Sequence, residues 1–89
     1  MIEPERIEQI VAVVTRAGLT PGTVSALREV FPEMHFTHCL DDDIGGPQPV
    51  REAAGFNLYL VDGHDHCMRF TDAPERATGV VLAELTEED

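Results

Sequence analysis

Pro32 divides the chain into two parts whose hydrophobic residues repeat at different periods, and that switch limits the fold more than any other feature. Before it, Ile7, Ile10, Val11 and Val14 recur at i, i+3, i+4 and i+7, on one face of a helix. After it, Met34, Phe36, His38 and Leu40 alternate with His35, Thr37 and Cys39, the period of a strand. Helices followed by strands in a chain of 89 residues predict one α+β domain over 1–89. A helical hairpin is expected to pack on one face of a small, mostly antiparallel sheet of about four strands.

The local signals place the elements. Pro4 suits a first helical turn and Gly18 a left-handed stop, so the first helix runs over about 4–17. Thr20-Pro21 opens a second over about 21–31, with Val24, Leu27 and Phe31 inward. Strands are expected over about 34–40, 55–61, 65–71 and 79–85. Between the first two, the prolines and glycines of DDDIGGPQP interrupt any central strand, and the stretch reads as a long loop. Asp62-Gly63 turns the second strand back into the third. Pairing residues whose numbers sum to an even value sets Phe56, Leu58 and Leu60 beside Met68 and Phe70. That register calls for a three-residue or bulged loop. Together with Phe36 and Leu40, these side chains would form the helix-covered face.

The other face would then carry Thr37, Cys39, Asn57, Tyr59, Val61, Cys67 and Arg69. Nothing else in the chain reads as long enough to cover it. A mixed surface with a central aromatic residue and an arginine has the make-up of a protein interface. The sequence reading therefore assigns these residues to partner binding, the partner being another protein or a second copy of the chain.

Charge narrows the partners. The formal net charge is −11, and the basic residues are Arg6, Arg16, Arg28, Arg51, Arg69 and Arg76, with no lysine. An acidic chain is repelled by phosphate backbones and anionic membranes, which argues against nucleic acid and membrane partners. The helical pair is no exception, since Arg28 is set against Glu29 and Glu33. The acidic N-terminal stretch does not read as a signal peptide, so a cytoplasmic location is expected, with Cys39 and Cys67 as reduced thiols.

A competing reading gathers His35, His38, Cys39, His64, His66 and Cys67 into a metal site taking zinc or iron, although no cofactor is required. Neither half has the spacing of structural zinc motifs. Within a strand, moreover, His38 and Cys39, like His66 and Cys67, point to opposite faces. His35 and His64, near strand ends, escape that objection. Asp41-Asp42-Asp43 lacks the alternation of a calcium loop and reads as a solvated turn. A cysteine nucleophile would need a histidine base held by a third group, and no such signature surrounds either cysteine.

The segments HFTHCLDDDIGGPQPVREAAGFNLYLVDG, HCMRFTD and ATGVVLAEL give the chain a family likeness. It resembles a family of small uncharacterised bacterial proteins associated with nitrogen-fixation gene neighbourhoods. The resemblance implies an accessory role near metallocluster assembly or electron transfer, and it brings no catalytic residues to carry over.

Overall fold

The computed structural model describes residues 1–63 and 68–85. Helix α1 spans Pro4–Ala17 and α2 spans Pro21–Val30. Gly18 ends α1 at φ 87°, and its N–H donates to the Val14 carbonyl at 2.8 Å. Two residues later the Thr20 hydroxyl caps α2 by accepting from the Thr23 N–H at 3.2 Å. The Thr23 hydroxyl in turn donates to the Gly18 carbonyl at 2.6 Å, so the short link between the helices is tied at both ends. Among the described residues, no helix is long and apolar enough to cross a membrane.

Five strands follow among the described residues: β1 His35–Leu40, β2 Arg51–Ala53, β3 Phe56–Asp62, β4 Arg69–Thr71 and β5 Gly79–Glu84. The sheet runs β1-β5-β3-β2, and β4 pairs with β3 as well. Among the described strands β1 and β5 pair in parallel, and the other pairings are antiparallel. The fold is thus α+β, two N-terminal helices followed by a mixed, mostly antiparallel sheet. The last strand in the chain lies between the first and the third. β2 falls in what reads from sequence as loop, formed where Gly55 at φ 88° turns the chain so that Ala53 pairs with Phe56. The strand expected over 65–71 begins at Arg69; residues 64–67 lie outside the described residues.

The helix-covered core joins Ile7, Ile10, Val14, Val24, Leu27 and Phe31 to Phe36, Phe56, Leu58, Leu60, Val80 and Leu82. The hairpin register differs from expectation. Leu60 faces Thr71, Val61 faces Phe70 and Asp62 faces Arg69, an odd sum. Phe70 therefore belongs to the face away from the helices, and Arg69 moves to the helix side. Leu40, Met68 and Phe70, expected in the core, are 42%, 54% and 43% exposed. Ile2 and Ala77, both buried with the helix-side cluster, supply apolar surface there instead. Ile2 is held by its N–H, which donates to the Pro74 carbonyl at 2.9 Å. The choice of register is non-local: the alternation within each strand is the same in either one, and only the partners that fill the core decide between them.

Candidate functional site

The face of the sheet away from the helices gathers most of the residues the sequence nominates. Strand alternation places His35, Thr37 and Cys39 of β1 there, with Asn57, Tyr59 and Val61 of β3 and Val81 and Ala83 of β5. Tyr59, Val61, Val81 and Ala83 are buried and form a second apolar cluster, against which Cys39 and Ile44 pack. A 3-10 turn at Asp41–Asp43 brings Ile44 onto this cluster. The expectation that nothing covers this face is therefore corrected. The loop after β1 covers part of it, and Tyr59 at 4% exposure is a core residue and no free contact.

One carboxylate holds the cover down. Asp41 Oδ1 accepts from the Tyr59 hydroxyl at 2.8 Å and from Asn57 Nδ2 at 3.1 Å. Asn57 and Tyr59 lie two residues apart on β3, so alternation puts both on this face within reach of one acceptor. Asp42 and Asp43 remain exposed, whereas Asp41 is half-buried. In sequence the triplet reads as a solvated turn, whereas in the structure its first member ties the loop to the sheet. The available signal was the polar pair Asn57 and Tyr59 on an otherwise apolar strand.

The same geometry sets the local electrostatics. Burial pushes the Tyr59 phenol above its ordinary value, and the hydrogen bond to Asp41 and that residue's charge add to the shift. Burial likewise raises the Cys39 thiol, helped by the charges of Asp43 and Asp41. A thiol whose pKa is raised by burial and by neighbouring carboxylates is a weaker nucleophile than a free one. Gly79 sits where β1, β5 and β3 crowd together. A Cβ there would lie 2.8 Å from the His35 carbonyl oxygen and 3.2 Å from Val61 Cγ2.

The remaining rim of this face is open. Thr37 and His35 are exposed, Cys39 and Asn57 half-buried, and Phe70 sets its ring edge-on to Tyr59 with centroids 5.6 Å apart. Arg69, nominated for this surface, lies on the opposite side. Cys67 lies outside the described residues.

The metal candidates separate. His35 and Cys39 face one way and His38 the other, half-buried and hydrogen-bonded through Nε2 to Glu84 Oε1 at 3.2 Å. Among the described residues, no three His, Cys, Asp or Glu side chains stand close enough to hold a metal ion. His64, His66 and Cys67 are outside those residues.

Compared with known families, residues 9–85 match the model of DUF6129, a family of unknown function, and the chain belongs to that family. No curated protein and no solved structure matches it.

Proposed function

For this member of a family of unknown function, we propose an acidic accessory protein of the cytoplasm that binds another protein and performs no catalysis of its own. The observation that carries this reading is the phenylalanine left on the rim of the half-covered face. Phe70 is 43% exposed, braced edge-on by the buried Tyr59, with Met68 exposed two residues before it. A rigidly supported aromatic ring in a partly apolar patch is the kind of residue that anchors protein interfaces. The exposed Asp42 and Asp43 beside this face would draw a partner with basic residues at its rim. The likeness to proteins from nitrogen-fixation gene neighbourhoods directs the search for that partner to nitrogen fixation.

Phe70→Glu tests the reading, with Thr15→Glu on the exposed surface of α1 as its control. Pull-downs from the source cells and sedimentation over a range of concentrations should show an assembly that the wild type and the control form. The Phe70 variant should lose it while keeping its circular dichroism spectrum. Equal assembly by the folded Phe70 variant would remove this face as the working surface.

A further inference from the structure

The outer edge of β1 offers a second surface, built from backbone. Among the described residues no strand lies beside it, because β1 pairs only with β5. The His35 N–H donates toward β5, to the Thr78 carbonyl at 3.3 Å. In a parallel pair, successive residues alternate between the partner strand and the opposite edge. Residues 35, 37 and 39 therefore bond inward, while Phe36, His38 and Leu40 present their N–H and C=O groups outward. Arg28 of α2 confirms the direction, since its guanidinium donates to the Phe36 carbonyl at 2.9 Å. That contact shields one end of the edge. The backbone of His38 and the N–H of Leu40 remain open, and His38 borders a cleft of about 350 Å³ lined also by Pro21, Val24, Ser25, Arg28 and Phe36.

We propose that an extended segment of a partner protein, rich in lysine or arginine, adds to β1 at His38 and Leu40 as a further strand. Main-chain hydrogen bonds supply affinity in such additions, and alternate side chains of the added strand supply specificity. One set of side chains would enter the cleft against Val24 and Phe36. Charge selects the occupant. The chain turns from the edge into Asp42 and Asp43, both exposed, while Arg28 keeps its positive charge at the other end, so the basic residues of the segment belong at the Leu40 end. A second copy of the chain is a poor fit, because each copy carries −11 and brings its own exposed Asp42 and Asp43 to the shared edge. The proposal rests on the reading of this protein as a binding module, but on residues separate from Phe70.

The probe is a short capped peptide alternating valine with lysine, titrated into isotopically labelled protein. Binding should shift the amide signals of His38 and Leu40 and slow their hydrogen exchange, and should weaken with salt. A counterpart with glutamate for lysine, or one N-methylated at alternate amides, should not bind. His38→Pro removes an outward N–H at an edge position where proline is tolerated, and should weaken binding about tenfold. His38→Ala keeps the N–H and should stay within about threefold of wild type. Phe70→Glu should bind the peptide normally, which separates failure here from failure of the other face. Should His38→Pro not fold, the N-methylated peptide tests the same hydrogen bonds on the wild type. The proposal is overturned if millimolar peptide leaves His38 and Leu40 unmoved, if the glutamate peptide binds equally, or if Phe70→Glu abolishes binding. Concentration-dependent dimers protecting the same amides would also overturn it, in favour of a second copy.

Discussion

The two faces of the sheet are closed by different physics. On the helix side, Leu58, Leu60, Val80 and Leu82 are packed with the apolar residues of α1 and α2, and each is at most 1% exposed; the polar ties from Arg28 and Arg51 lie at the margins of that contact. On the other side, a smaller cluster around Tyr59 and Val81 lies under a single turn held by the Asp41 carboxylate. Burial of apolar area is non-directional and spread over many residues, so the first face resists local change. The second combines a smaller apolar contact, Ile44 on the Tyr59 cluster, with two hydrogen bonds to one oxygen. Its cover is therefore expected to open before the helix-side core does.

The sharpest way to break this contrast is Leu58→Ala. It should cost about 2–5 kcal/mol, much of the stability of a domain this small, because it empties a fully buried site between sheet and helices. Urea denaturation checks it, and a loss below about 1 kcal/mol would mean that the helix-side core is loosely packed. Gly79→Ala comes next. The added methyl meets the His35 carbonyl with no flexible neighbour to yield, so a loss of about 1–3 kcal/mol is expected. Asp41→Ala should cost about 1–3 kcal/mol by leaving the buried Tyr59 hydroxyl without its acceptor. Hydrogen exchange should quicken at residues 41–44 while the Leu58 and Leu82 amides stay protected; uniform quickening would show that the cover and the core open together.

The smallest effect is on pH dependence. Tyr59 has its pKa raised by folding, chiefly through burial and then through Asp41. The native state therefore holds the phenolic proton more tightly than the unfolded chain does. The stability linked to this group is complete below the ordinary phenol value and is lost as pH rises through the folded value. Cys39, raised by burial and by Asp43 and Asp41, contributes with the same sign from the ordinary thiol range upward. Wild type should thus lose its stability advantage over Tyr59→Phe as pH climbs above about 10, measured by denaturation across that range. An advantage that holds or grows there would contradict the burial of this hydroxyl.

Legibility differed with the range of the interactions. The helices could be read because Pro4, Gly18, Thr20-Pro21 and Pro32 act within a turn or two of themselves. β2 escaped notice because Arg51-Glu52-Ala53 has neither β-branched nor aromatic residues. It becomes a strand by pairing with Phe56–Leu58, and its Arg51 reaches α1, donating from Nε to Glu8 Oε2 at 2.7 Å. The candidate face could be read as far as Thr37, Cys39, Asn57, Tyr59 and Val61, which share a parity. Arg69 was misplaced because its face depends on the hairpin register and on no property of its own strand.

By itself the amino-acid sequence determined the α+β class, two helices ending before Pro32, the alternation of β1 and β3, and the acidic charge. Each follows from periodicity, caps or composition, which act between near neighbours or over the whole chain at once. The tertiary structure alone decided that β5 enters between β1 and β3, that Phe70 and not Arg69 joins Tyr59, and that Asp41 fastens the loop over the sheet. These are pairings between residues distant in sequence. Their free energy depends on which surfaces meet and which polar groups find partners, and a strand's own alternation is equally compatible with several such arrangements.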